Sequence, residues 1–290
     1  MADGIGERRW YAKKMSRGAM MLGSWATGAP LRNALARGGC VRVLTYHRFG
    51  DWPRDPFCVA APDFERQVRW IAARGLAVSL EDLRAFLRGE RRLPEGAVLL
   101  TADDGAHSVL SVAAPILRDH GVPMVAFIST GPLEGLPTQL ALPEPFLRWD
   151  EVGRLREFGI DVGSHGHTHG SLGAMGESQV REEAERSRAT LQRELGFAPT
   201  SFAYPYGTPA HYDARTRRVL AAAGYDTLFL STHGAVRAGS DPLALPRIKV
   251  EGGEPLWLFR MLARGGMDDW RVVDNAIAAL TRAGRERSAA

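Results

Sequence analysis

Two aspartates stand side by side in "LLTADDGAHS" (residues 99–108), directly after an apolar run and directly before a glycine. Adjacent residues leaving a strand point in different directions, so one of Asp103 and Asp104 can ligate a metal while the other faces the attacking water as a base. Capping is the plain alternative, because Asp and Gly ahead of "HSVLSVAAPIL" also suit a helix N-terminus. Three of the chain's eight histidines, His165, His167 and His169, crowd between glycines in "DVGSHGHTHGSL" (161–172). In a loop of that kind His165 and His169 can converge on one ion while His167 points elsewhere. With one carboxylate of the pair they make a two-histidine, one-carboxylate site that leaves positions open for water, the donor set of metal-assisted hydrolysis.

Groups like these need rigid elements behind them, and from residue 41 the chain alternates short β-rich runs with helical patterns. "VRVLTY" (41–46), "AVLLTA" (97–102), "VPMVAFIS", "IDVGS", "TSFAYP" and "YDTLFLS" read as strands. "HSVLSVAAPILRDHG", "WDEVGRLREFG", "ESQVREEAERSRATLQRELG" and "AHYDARTRRVLAAAG" read as the helices between them. This rhythm implies parallel βαβ units closing into a barrel or doubly wound sheet, with the active site at the strand C-termini, where both clusters lie. The charges of residues 177–194 read as a solvated face, and Trp70, Phe86, Trp257, Phe259 and Trp270 as core.

The chain has 290 residues, 45% apolar and 24% charged, which suits one large soluble domain. Its net charge of +4 is uneven: residues 1–37 carry seven Lys or Arg against two Asp or Glu, so the remainder is close to neutral. A body of that charge without a nucleic-acid motif argues against a nucleic-acid partner. The basic arm, residues 1–37, sets Tyr11, Met15, Ala19, Leu22 and Trp25 on one helical stripe with Arg9, Lys13 and Arg17 opposite. A helix over 8–25 then either lies on an anionic membrane surface or packs on the barrel as an ordinary surface helix. The two cysteines, Cys40 and Cys58, read as free thiols of a cytoplasmic protein, peripheral at the membrane if the arm docks. Export is the competing expectation, since "RRWYAK" resembles a twin-arginine signal and Ala34, Leu35 and Ala36 a cleavage site.

The motifs together carry a family resemblance. "TADDG" resembles the T-F-D-D-G motif of the polysaccharide deacetylases of the NodB-homology type, carbohydrate esterase family 4; "HGHTH" resembles their H-[ST]-x-x-H motif and "FAYPYG" (202–207) their R-x-P-Y-G motif. "LRWDEVGRLREFGIDVGSHGHTH" is similar to the Trp-bearing helix that leads into the histidine motif, so the resemblance spans roughly residues 41–250. It implies an irregular (β/α)7-type barrel with a catalytic domain over 38–254, followed by C-terminal helices and a tail over 255–290. It also implies removal of N-acetyl groups from glycans containing N-acetylhexosamine. Position by position, it makes Asp103 the base and Asp104, His165 and His169 the ligands of a divalent metal, usually zinc, other transition metals also fitting. The Pro205–Tyr206 turn would supply a backbone N–H to the oxyanion, and Trp149 would line the sugar site or pack beneath the metal loop.

The sequence departs from the common pattern in three places. No C-terminal Leu-x-His is present, and "TYHRFG" instead offers His47 as acid, as in the branch that includes the permuted poly-N-acetylglucosamine deacetylases. Ala203 stands where an arginine often pairs with the base, and "LPRIKV" offers Arg247 in its place or as a surface ion pair. Ala102 and Gly166 replace a Phe and a hydroxyl-bearing residue. A glycan O-acetyl esterase on the same fold, or a carbohydrate-binding homologue impaired in catalysis, are the competing functions. The D-x-H and G-N-H-[DE] strings of calcineurin-like phosphoesterases and the H-x-H-x-D-H of metallo-β-lactamases are absent.

Overall fold

The computed structural model describes residues 6–28, 39–138, 140–276 and 279. A long helix, α1 (Glu7–Ala26), precedes the first strand, β1 (Val41–Tyr46). A two-stranded parallel pair follows, β2 (Arg48–Phe49) with β3 (Cys58–Val59), then helices α2 (Ala61–Ala72) and α3 (Leu80–Leu87). Next come β4 (Ala97–Ala102), a π-turn over Val109–Ala113 running into α4 (Ala114–His120), β5 (Met124–Ile128), α5 (Thr130–Leu133) and α6 (Trp149–Arg154). The chain continues through β6 (Ile160–Ser164), α7 (Glu177–Leu195), β7 (Ser201–Ala203), α8 (Ala214–Ala222), β8 (Thr227–Phe229), β9 (Ile248–Lys249) and α9 (Leu256–Ala263).

Seven strands form one parallel sheet in the order β8-β7-β6-β5-β4-β1-β9, curled into a half-barrel with helices outside it. β1 and β4 are buried at every position, as mostly apolar strands covered on both faces must be, and Arg42 within β1 is kept there by its ion pair with Asp268 at 2.8 Å. Register places the site. β1 and β4 end level, Tyr46 opposite Ala102, so His47 and Asp103 leave the sheet as neighbours, and the Asp103 N–H donates to the Tyr46 carbonyl at 3.0 Å. β5 and β6 also end level, Ile128 opposite Ser164, which brings His165 to the same rim. β9 pairs Ile248 with Leu44, so Arg247 enters one residue lower and can reach up toward Asp103. Close packing behind the rim is strict: a Cβ on Gly163 would sit 2.5 Å from the Phe127 ring.

Several expectations need correction. The helix read from "AHYDARTRRVLAAAG" begins only at Ala214, because the Asp213 carboxylate caps it by accepting the Thr216 N–H at 2.8 Å; His211 precedes the helix. Trp70, Phe86 and Phe259 are core, but Trp257 is 53% exposed and Trp270 only half-buried. α1 packs on α9, yet with the unexpected face inward: Trp10, Arg17, Met21 and Ser24 are buried while Tyr11, Met15, Leu22 and Trp25 are exposed. No helix among the described residues is long and apolar enough to cross a membrane. Cys40 and Cys58 are buried and free. Ala34, Leu35 and Ala36, and the tail beyond residue 279, lie outside the described residues.

Candidate active site

A cleft of about 710 Å³ opens at the C-terminal ends of the strands, and His47, Asp103, Asp104, His165, His169, Tyr206 and Arg247 all line it. The three ligand atoms offered by Asp104, His165 and His169 lie within 4.8 Å of one another, and all three residues are buried. Left-handed backbone at Asp104 (φ 78°) and His169 (φ 60°) turns these side chains inward, a strain of the kind found where function demands it. The capping alternative for the aspartate pair is thereby displaced, since neither carboxylate serves a helix N-terminus.

The tautomer of His165 follows from its neighbours. Its Nδ1–H donates to the Ala203 carbonyl at 2.7 Å, which leaves the Nε2 lone pair facing the Asp104 carboxylate 3.6 Å away. Burial, opposed by Asp103 and Asp104, drives the His165 pKa down to about 4, so at neutral pH the ring is the uncharged base a metal requires. The Nε2 of His169 sits 3.4 Å from the same Asp104 oxygen. Burial raises the Asp104 carboxyl, but the hydrogen bond from His169 and the nearby imidazoles outweigh it and hold the group well below the usual carboxylate range. Two imidazoles and one ionised carboxylate, buried and convergent, fit a divalent ion of the zinc type.

Asp103 has a different environment. Arg247 grips it with a two-pronged ion pair, Nη1 to Oδ1 at 2.7 Å and Nη2 to Oδ2 at 2.8 Å, while its Nε donates to the Leu230 carbonyl. Burial would raise the Asp103 carboxyl and Arg247 more than reverses this, so the residue is a fixed carboxylate. Arg247 thus pairs with Asp103 in the interior, and the surface ion pair weighed for it is excluded by its 2% exposure.

His47 sits half-buried in the cleft, edge-on to Phe57 at 4.9 Å, with its Nδ1 buried and unpartnered among the described residues. Burial lowers its pKa, against the pull of Asp104 and Asp103. Tyr206 (φ 62°) is exposed at the rim, and its backbone N–H meets no acceptor among the described residues; Pro205 is buried beside it. Trp149 is not brought to the site: it starts α6 and packs half-buried on the core. His167 turns away, Nδ1 2.8 Å from the Thr130 hydroxyl.

One contributor escapes the sequence reading. Glu183 of α7 is buried, and its carboxylate accepts the His167 N–H at 2.8 Å, the Thr168 N–H at 3.0 Å and the Thr168 hydroxyl at 2.6 Å. It clamps the histidine loop where Gly166 (φ 81°) has removed a side-chain anchor. The signal was present: Val180, Glu183, Ala184 and Ser187 recur at the spacing of an inward stripe.

Residues 90–228 match the polysaccharide deacetylase family model, a span from just before β4 to β8 that leaves out His47 and Arg247. Among curated proteins, the chain is 23% identical over 212 residues to the Bacillus subtilis protein YxkH, named for that family, covering 73% of this chain and 71% of that one. It is 25% identical over 256 residues to the poly-β-1,6-N-acetyl-D-glucosamine N-deacetylase of Escherichia coli K12, covering 75% of this chain and 37% of that enzyme's length. Among solved structures, the Streptococcus pyogenes deacetylase PplD superposes with a TM-score of 0.67 at 22% identity, over 78% of this chain and 98% of that one. IcaB from Ammonifex degensii superposes at 0.66 and 24%, over 79% and 97%.

Proposed function

We propose that this chain, similar over residues 90–228 to the polysaccharide deacetylase family, is a member of that family and a metal-dependent hydrolase removing N-acetyl groups from glycans built of N-acetylhexosamine. The observation that carries this reading is the division of labour in one cleft: Asp103 fixed by Arg247 beside the convergent Asp104, His165 and His169. The name of the Escherichia coli relative supports an N-linked acetyl group as the target.

Asp104, His165 and His169 would hold the divalent ion, which supplies Lewis acidity for the acetamide carbonyl and acidifies water at that place. The Asp103 carboxylate takes the proton of the attacking water as the new C–O bond forms. Arg247 keeps that carboxylate ionised and aimed. The Tyr206 N–H, without an acceptor of its own, donates to the developing oxyanion, a contact that typically contributes about 3 kcal/mol in comparable sites. His47, in its imidazolium form, then protonates the sugar nitrogen as the C–N bond breaks, and the proton taken up by Asp103 restores it, so water and amide become acetate and free amine.

The test is stoichiometry. Zinc-loaded protein acting on a β-1,6-linked N-acetylglucosamine oligomer should release one acetate per free amine formed. Acetate released only from an O-acetylated oligomer, with no amine, would reassign the cleft to ester hydrolysis. Absence of both products would reassign it to binding.

A further inference from the structure

α1 is turned inside out relative to an ordinary amphipathic helix, and charge locks it so. On its inner face the Arg17 Nε donates to Glu254 at 2.5 Å, its Nη2 donates to the Lys249 carbonyl, and Lys13 and Lys14 each meet Glu251 at 3.0 Å. Glu251 and Glu254 are buried, so rolling the helix to hide its apolar stripe would strand Glu254 in the interior and leave Glu251 with Lys249 alone among its ion-pair partners. The outer face is left with Tyr11, Met15, Leu22 and Trp25, exposed by 57, 75, 55 and 49%, on one stripe along about 20 Å of helix with Ala19 in the turn between Met15 and Leu22.

Positive charge brackets that stripe. Arg8 and Arg9 are exposed at its start with no ion pair among the described residues, against Glu7. At its end Trp25 lines a second cavity, of about 470 Å³, with Trp70, Arg74, Arg264 and Glu95. The exposed Arg74 and Arg264 have no carboxylate partner among the described residues; their guanidinium groups lie 5.0 and 5.9 Å from the Trp70 ring. The buried Trp70 Nε1–H lacks an acceptor among the described residues.

We propose that this face of α1, with Arg8, Arg9, Arg74 and Arg264, docks on an anionic lipid surface. The stripe is a convex ridge, so it suits a fluid apolar layer entered to a depth of about 5–10 Å, while the arginines stay at headgroup level. Tyr11 and Trp25, at either end, are residue types that favour that boundary. Six charged residues within α1 keep it from spanning. The opposite side of the helix contributes Arg17 to the cleft wall, so docking holds the cleft within about one helix diameter, 10–12 Å, of the headgroups. The inference stands apart from the hydrolytic reading.

Full-length protein is floated with vesicles of 30% phosphatidylglycerol in phosphatidylcholine, and with phosphatidylcholine alone. Wild type should float with the anionic vesicles and lose about tenfold of that partition or more in M15E/L22E, in R74Q/R264Q and without the anionic lipid, every variant keeping the wild-type circular dichroism and melting temperature. Equal flotation of wild type and M15E/L22E overturns the proposal. So does the absence of wild-type flotation, whether the protein sediments as a monomer or as a dimer that M15E/L22E dissociates; the dimer would assign the stripe to a second copy of the chain.

Discussion

Two clusters of buried charge lie on either side of β9, and they are built on opposite rules. Beside α1, the carboxylates of Glu251 and Glu254 meet the ammonium groups of Lys13, Lys14 and Lys249 and the guanidinium of Arg17. At the strand ends, among the described residues, Asp104 is paired with imidazoles, and His47 and His169 each keep a buried Nδ1 without a partner. A satisfied cluster fixes a helix in place; an unsatisfied one stores electrostatic demand that an ion and a substrate can meet. Asp103 is the bridge between the two rules, a satisfied carboxylate inside the unsatisfied cluster.

The sharpest break of that comparison is to remove a ligand. Asp104→Asn or His165→Ala should abolish bound metal and turnover together, read by elemental analysis and amine release, whereas Arg17→Met should leave metal content at wild type. Metal retained in the first pair, or lost in the third, would erase the distinction between the clusters. Asp103→Asn comes next. It removes proton acceptance without volume, so it should keep the metal and lose about 10²–10⁴-fold in rate. His47→Ala should also keep the metal, with a defect that depends on the leaving group. An amine departs only when protonated, whereas an activated aryl acetate departs as a stabilised anion, so ester hydrolysis should suffer far less than amide hydrolysis. Equal slowing of both would make His47 positional.

The legibility of the two clusters in the sequence differs for the same reason. The strand-end one lies in short strings, "TADDG" and "HGHTH", because adjacent strand ends bring local motifs together, and the β-rich, mostly apolar runs of β1 and β4 announce those strands at their observed bounds. Arg247 was harder: its grip on Asp103 spans 144 residues and depends on a two-residue strand pairing with β1. Glu183 hid in a helix whose charges otherwise face water. The orientation of α1 could not be read from its own wheel, because Glu251 and Glu254, which decide it, lie more than 230 residues away. Trp149 shows the limit of motif transfer, since its place in a motif says nothing of which way the ring packs.

On the satisfied side, Arg17→Met leaves Glu254 buried and uncompensated and should cost about 3–5 kcal/mol of stability by chemical denaturation. Arg17→Met with Glu254→Met should recover most of it. A double variant no more stable than the single one would show that the pair positions α1 rather than merely neutralising itself, and would weaken the analogy with a self-contained ion pair.

The smallest effect concerns acid. Burial raises the Glu251 carboxyl, but Lys249, Arg17 and Lys14 more than reverse this and bring it from 4.5 down to about 2. A carboxyl held below its unfolded value binds fewer protons folded than unfolded, so its stabilisation is complete above pH 4.5 and is lost as pH falls toward 2. The shift corresponds to on the order of 3 kcal/mol. Glu251→Gln should therefore be less stable near neutrality and show a shallower decline across that window, by up to one proton in the slope of stability against pH. The remaining slope belongs to other depressed carboxyls, Asp103 and Asp104 among them. An unchanged slope in Glu251→Gln would mean that the cations around Glu251 hold it no more tightly than solvent does, and that α1 is kept in place by Arg17 and Glu254 alone.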